Sequence, residues 1–336
     1  MSAWVRVALA FAVSLVLSAL WAPLALGLLR KLKSGQPILR YVAEHEGKAG
    51  TPTMGGWTFI LPTFAVTLAL ESRLGMGAIL AFAMLSYAIL GFLDDFLKLK
   101  RHDNGGLKPY QKIVGQLGIA VLLAVYIYRN PLIGTSLVVP FSAATLDLKW
   151  GIIPLSILVW IATTNSVNLT DGLDGLAAST TLVYVLGGMA MVAIGLAKGI
   201  LPSESADLLV FGGALVASLL IFLFFNASPA KVFMGDTGSM ALGGGVAGIL
   251  CFAKFTFYLP LLGIIYVATS ISVIAQVAFF KLSHGKRLLL MAPLHHHLQR
   301  KGLSEPQVAT SYVTVTFGAA ILCVIGVWIG VGGLSS

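Results

Sequence analysis

The chain of 336 residues is 57% apolar and 10% charged, far below the roughly 25% charged residues of a soluble protein, so a soluble two-domain globule is excluded. Its 22 basic and 13 acidic residues give a net charge of +9, but no segment is long and polar enough to make a basic nucleic-acid-binding domain, and no nucleic acid is expected as partner. What remains is an all-α polytopic membrane protein, a single transmembrane domain over residues 1–336 with the lipid bilayer as its solvent.

From the N-terminus, Arg6 precedes an apolar run over 7–29, longer than a signal-peptide core and about a bilayer in length, which reads as a retained first span. A hydrocarbon core of about 30 Å needs about 20 helical residues. Cutting the apolar runs at charge, Pro and Gly then predicts ten transmembrane helices, near 3–29, 54–70, 75–97, 109–128, 150–168, 175–197, 206–225, 238–254, 258–281 and 308–332. Pro260 and Gly263 are expected to bend the ninth and open a lipid-facing groove. Cys251 and Cys323 lie inside apolar runs and read as small hydrophobes. Internal repeats are absent, which speaks against a duplicated transporter.

Alternate loops near 30–53, 98–112, 169–174, 226–237 and 281–307 hold 5, 5, 0, 1 and 5 Lys or Arg, 16 of the 22, and the other side holds six. By the positive-inside rule the first set is cytoplasmic, and an even span number leaves both termini outside. All six histidines and Asp94, Asp95, Asp103, Asp171, Asp174 and Asp236 fall on that side, while the outer loops are nearly featureless.

Four cytoplasmic segments carry chemistry. The third span ends Leu93-Asp94-Asp95-Phe96-Leu97-Lys98, with Lys98 on the helical face of Asp94. Paired carboxylates beside a cation read either as a solvated helix end or as a metal or phosphate site. Between the fifth and sixth spans stand Asn168, Thr170, Asp171, Gly172, Leu173, Asp174 and Gly175. One helix cap accounts for one Asp, and this loop has two. The segment Asn226-Ala-Ser-Pro-Ala-Lys231-Val-Phe233-Met-Gly235-Asp236-Thr-Gly238-Ser239 runs into an apolar helix. There backbone N–H groups are expected to meet phosphate, Asp236 to ligate a bridging cation and Phe233 to stack on a base; a plain capped turn is the alternative. In Pro293-Leu-His295-His296-His297 three consecutive histidines point in three directions, a poor zinc set but suitable donors for a pyrophosphate. Their common placement, where a soluble anionic substrate meets a lipid one, suggests an interfacial transferase.

Together with Lys48-Ala-Gly-Thr51-Pro-Thr53-Met-Gly-Gly56, these segments resemble the polyprenyl-phosphate N-acetylhexosamine-1-phosphate transferase superfamily, in particular its muramoyl-pentapeptide branch, over nearly the whole chain. The resemblance implies transfer of phospho-N-acetylmuramoyl-pentapeptide from UDP-MurNAc-pentapeptide to undecaprenyl phosphate, giving lipid I and UMP with Mg²⁺, at the cytoplasmic face of the bacterial inner membrane. It implies Asp236 as Mg²⁺ ligand or, in a two-step route, nucleophile. Asp94 would activate the lipid phosphate with support from Asp95, and Lys98 and Lys112 would position phosphates. Lys48, Asn226, Phe233, Gly172, Leu173 and Asp174 would frame the uridine. His295, His296 and His297 would contact the pyrophosphate or sugar, and Asn168 and Asp171 would be site residues without a sharper role. A homodimer stays open. The rival readings are a sister transferase using UDP-N-acetylglucosamine and a lipid-linked substrate transporter. The transporter reading suffers because no Asp, Glu, Lys or Arg lies near the middle of a predicted span.

Overall fold

A computed structural model describes residues 1–32, 50–71, 74–101 and 105–332. Lys48, one of the expected uridine contacts, lies outside the described residues. Helix α1 (Ala3–Lys31) starts at Ser2, whose hydroxyl accepts from Val5 N, and ends on Arg30 and Lys31, the sign the C-terminal dipole favours. Next come α2 (Trp57–Leu70), α3 (Met76–Arg101) and α4 (Pro109–Arg129). Pro109 opens α4, where its missing N–H costs nothing, and Gln111 accepts from Lys108 N at 2.9 Å. Helices α5 (Ile152–Thr170), α6 (Leu176–Ala197), α7 (Ala206–Asn226) and α8 (Gly235–Phe252) follow. The chain closes with α9 (Leu259–Leu262), α10 (Ile264–Leu282), α11 (Leu294–Arg300) and α12 (Glu305–Gly332).

Each of the ten expected apolar stretches is occupied by helix, the ninth by α9 and α10 with the break at Gly263. Among the described residues, eight helices are long and apolar enough to cross a membrane, so the chain is an all-α polytopic membrane protein. Helix α2 has 14 residues and is short of that length. Helix α8 contains five glycines from Gly238 to Gly248, and every residue from Thr237 to Phe252 is buried. These glycines admit neighbours that a methyl would exclude: a Cβ on Gly243 would stand 2.5 Å from Thr164 Cα, one on Gly244 2.3 Å from the Tyr87 ring and one on Gly248 2.2 Å from Leu80. Small residues let helices approach where apolar attraction between them is no greater than to lipid. Helix α8 thus sits at the centre against α3 and α5, while α1, α4, α10 and α12 turn large apolar side chains outward. One apolar core runs from Leu26 of α1 to Val327 of α12.

Two features depart from the sequence reading. The loop expected to be featureless after α4 forms a hairpin, β1 (Ser136–Val138) against β2 (Thr145–Asp147), with Leu137 opposite Leu146. It is tied to the bundle by Val138 N donating to Lys254 O at 2.9 Å and Phe141 N donating to the Tyr258 hydroxyl at 2.9 Å. Helix α3 also runs on to Arg101, so Asp94 and Asp95 lie more than a turn inside it; Lys98, Lys100 and Arg101 in its last turn suit the negative helix end.

Candidate active site

The C-terminal parts of α3 and α5 and the first turns of α4 and α8 meet at one end of the bundle, and the charged residues they carry form one cluster. Asp94 and Asp95 of α3 are buried, whereas the Asp236 side chain, in the first turn of α8, keeps 16% of its exposure. Lys98, one turn after Asp94, places its Nζ 2.6 Å from Asp94 Oδ2, 3.0 Å from Asp236 Oδ2 and 3.9 Å from Asp95 Oδ1. Lys112 of α4 reaches the same two oxygens, at 2.9 Å from Asp94 Oδ2 and 2.6 Å from Asp236 Oδ2. Asn168, near the end of α5, donates to Asp236 Oδ1 and to Ser239 Oγ, both at 2.8 Å. Asp94 Oδ1 accepts from Leu107 N at 2.7 Å, which anchors the segment leading into α4.

Asp95 is turned the other way. Its Oδ1 accepts from Asp236 N at 3.2 Å, and its Oδ2 accepts from Thr237 N at 2.9 Å and from Thr237 Oγ1 at 2.7 Å. A carboxylate of α3 therefore caps the positive end of α8. This corrects the expectation that the backbone N–H groups there await phosphate: those of Asp236 and Thr237 already have an anion, one supplied by the protein.

Glycines make the convergence possible. A Cβ on Gly91 would stand 2.1 Å from Asp236 O, and one on Gly106 would stand 2.4 Å from Asp94 Oδ1. Gly56 meets Gly238, where a Cβ would be 2.3 Å from Cα, and Gly235 takes φ +73°. The Thr53–Gly56 segment is joined to the other side of this turn through Phe233 N to Pro52 O and Gly55 N to Phe233 O, both 2.8 Å, and Gly56 N to Met234 O at 3.1 Å. Phe233, three residues before Asp236, is half-buried. Gly91, Gly106 and Leu107 were not singled out from the sequence, and Thr237 and Ser239 stood in a quoted segment without a role. Gly91 precedes Asp95 by four residues, one helical turn, so a search for small residues on the carboxylate face would have found it.

The remaining expected residues gather around this cluster in varied roles. Asp171 ends α5, and burial, reinforced by the Asp236, Asp95 and Asp174 carboxylates, pushes its carboxyl well above its ordinary value. Asp174 Oδ2 accepts from Ala230 N at 2.9 Å and its own N–H donates to Glu305 Oε2 at 3.2 Å, so it ties the α5–α6 turn to the segment before α8 and to α12. Asn226 accepts from Gly175 N at 3.2 Å and donates to Val232 O at 2.9 Å. Both ends of its buried amide are engaged, so it braces the loops around this turn. The Leu173 side chain packs with Leu176, Ile265, Val308 and Tyr312, because an apolar group gains by leaving water. Only its main chain remains for a ligand.

The three histidine rings of α11 diverge as consecutive helical positions must. His295 is buried over Gly172, where a Cβ would come within 2.2 Å of its Nε2, and its ring centroid lies 4.4 Å from that of His296. His296 Nδ1 pairs with Gln299 Oε1 at 2.8 Å, and His297 Nδ1 accepts from Leu290 N at 3.1 Å.

Ligand atoms of Asp94, Asp95 and Asp236 lie within 4.8 Å of one another. Three hard carboxylate donors against two ammonium groups leave one negative charge in excess when all are ionised, and such a donor set fits Mg²⁺. Asp236, the carboxylate reached from outside, is the residue that would hold it.

Residues 77–254, which span α3 to the end of α8 and contain every charged residue of this cluster, match glycosyl transferase family 4. A phospho-N-acetylmuramoyl-pentapeptide-transferase of Clostridium kluyveri is 42% identical over 94% of this chain and 96% of its own length. Proteins of the same description from Desulfitobacterium hafniense and Thermoanaerobacter sp. are 41% and 42% identical, over 96% and 94% of this chain and 97% of each of theirs. The chain belongs to glycosyl transferase family 4, among its phospho-N-acetylmuramoyl-pentapeptide-transferases.

Proposed function

We propose that this chain transfers phospho-N-acetylmuramoyl-pentapeptide from its UDP carrier to undecaprenyl phosphate, yielding lipid I and UMP for peptidoglycan synthesis. The observation that carries the reading is the cluster of Asp94, Asp95, Asp236, Lys98 and Lys112 at one end of an apolar bundle, in a chain with relatives of that description. The bundle is read as ten spans with both termini outside and the cluster at the cytoplasmic face of the inner membrane, on the 16-to-6 division of basic residues. Reporter fusions after Lys48 and after Glu204 should then read opposite sides.

The reaction joins two anions. Like charges about 4 Å apart repel by about 4 kcal/mol at an effective dielectric near 20. Lys98 and Lys112 are the cations this chain brings to that encounter, and Mg²⁺ held by Asp236 would supply further charge neutralisation and orient the phosphates. An oxygen of the lipid phosphate attacks the sugar-side phosphorus of the donor, and the bond from that phosphorus to the UMP oxygen breaks. A phosphate monoester has a second pKa near 6 and arrives mostly as the dianion, so little proton removal is needed. Asp94, with both oxygens engaged, serves here by holding Lys98 and Lys112 in place. Phe233 is read as the base-stacking residue. Gly172 and the main chain of Leu173, with Asp174 and Asn226, shape the uridine side, and His295, His296 and His297 lie toward the sugar and pyrophosphate.

UMP release by the purified protein should require both undecaprenyl phosphate and the muramoyl-pentapeptide donor. Transfer from UDP-N-acetylglucosamine, with none from the muramoyl donor, would overturn the assignment.

A further inference from the structure

Every oxygen of the carboxylate cluster has at least one partner. Asp236 Oδ1 is taken by Asn168, Asp94 Oδ1 by Leu107 N, and both oxygens of Asp95 by the start of α8. The two oxygens left, Asp94 Oδ2 and Asp236 Oδ2, are each contacted by both Lys98 and Lys112, so two ammonium groups bridge two carboxylate oxygens in a closed ring of four contacts. A divalent cation approaching Asp236 from the open side meets the same oxygen that the lysines hold.

We propose that Lys112, and to a lesser degree Lys98, are exchangeable counter-ions that occupy the cation's place on Asp236 and move onto the substrate's phosphates when donor and metal arrive. An ammonium on a four-carbon stem is a mobile point charge, suited to such a transfer. The two lysines hold the same two oxygens but not equally. Lys98 shares its helix with Asp94 at four residues' distance and sits closer to Asp94, whereas Lys112, from the first turn of α4, makes the shorter contact with Asp236 Oδ2, 2.6 Å against 3.0 Å, and is the more exposed, 24% against 18%. Lys112 is therefore the one whose charge a cation on Asp236 must replace first.

Two consequences follow from competition for one oxygen. Without donor, the lysines weaken metal binding, so deleting one charge at Lys112 tightens it. With donor present the phosphates draw the lysines away, so donor and metal strengthen one another's binding, and by linkage the factor is the same in both directions. The inference rests on the transferase reading for the identity of the anion, but its metal-only arm needs no substrate.

The test is titration of the purified, detergent-solubilised full chain with Mn²⁺, followed by electron paramagnetic resonance, with and without UDP as a diphosphate probe. In the absence of nucleotide, Lys112→Met should bind Mn²⁺ about tenfold more tightly than the unaltered chain and Lys98→Met by a smaller factor. Lys112→Arg, which keeps the charge, should show no such gain. UDP should tighten Mn²⁺ in the unaltered chain and do so much less in Lys112→Met. Equal or weaker Mn²⁺ binding by Lys112→Met, or the same gain in Lys112→Arg, overturns the proposal. A folded but metal-blind Lys112→Met, with its thermal transition preserved, overturns it too. Failure of the transferase reading would show instead as absent UMP release, with the metal-only comparison still decided.

Discussion

Substituting Gly91 by Ala is the sharpest test of how the site is assembled, because it adds one methyl and changes no charge. An ideal Cβ at Gly91 stands 2.1 Å from Asp236 O, 2.5 Å from Asp236 C and 2.7 Å from Thr237 N. All three are backbone atoms, so no side-chain rotation relieves the clash. Restoring an ordinary contact of about 3.4 Å requires α3 and the first turn of α8 to separate by about 1 Å, against overpacking costs of typically 1–3 kcal/mol. That separation acts on the bonds from Asp95 to Asp236 N and Thr237, and on the 3.0 Å contact between Lys98 and Asp236. A misplacement of about 1 Å in a catalytic constellation costs on the order of a hundredfold in rate. UMP release by Gly91→Ala should therefore fall by about 10²-fold, together with a lowered thermal transition in detergent. Gly118→Ala is the control: it lies on an exposed face of α4 with nothing within 4 Å of its Cβ, and it should leave activity unchanged. Retention by Gly91→Ala of activity within threefold of the unaltered chain would refute the claim that helix approach at this point sets the site's geometry.

Asp236→Asn keeps the side chain's shape but loses the charge that holds both lysines and would hold a cation; transfer should fall by roughly 10³-fold, as when a single electrostatic stabiliser is lost, with calorimetric Mg²⁺ binding lost alongside. Retained Mg²⁺ binding would move the metal ligand elsewhere. For Phe233→Ala, loss of base stacking worth about 1–3 kcal/mol should raise the donor KM by about tenfold or more while the lipid KM stays nearly constant. The reverse pattern would place the ring against the prenyl chain. At the opposite end of the bundle Glu71 caps α3 through Gly75 N and Ala78 N, and burial, reinforced by Asp207, raises its carboxyl to about 7. A folded pKa raised above the ordinary 4.5 means the protonated form favours the folded state, so stability is full below about 4.5 and is lost as pH rises through about 7. The thermal transition should drop between pH 6 and pH 8 by about 2 °C or more, and Glu71→Gln should remove that dependence; an unaltered pH slope in the variant would contradict this.

Much of the architecture is local and therefore legible in the sequence. Each apolar run is long enough to satisfy its backbone groups as helix, the only open-ended form stable in hydrocarbon. Pro260 and Gly263 announce the interruption that separates α9 from α10. The helical spacing of Asp94 and Lys98 already places them on one face, and they meet at 2.6 Å. The hairpin after α4 was illegible because each strand is only three residues long, and its placement depends on Lys254 and Tyr258 more than a hundred residues away.

The direction in which a polar side chain faces is a different kind of fact. Asp94 and Asp95 are chemically identical neighbours, yet consecutive helical positions point about 100° apart. One therefore meets the lysines of α3 and α4, and the other the first turn of α8. Nothing in the order of residues says that α8, glycine-rich and fully buried, would stand on the Asp95 side, or that Leu173 and Asn226 would turn inward from a loop of site residues. Composition, the all-α membrane class and the identity of the charged residues were set by the sequence alone, because hydrophobicity and helical period act over a few turns. Which of those charges oppose one another was decided only by helix packing, because close approach at Gly91, Gly56 and Gly243–Gly248 depends on contacts between segments far apart in the chain.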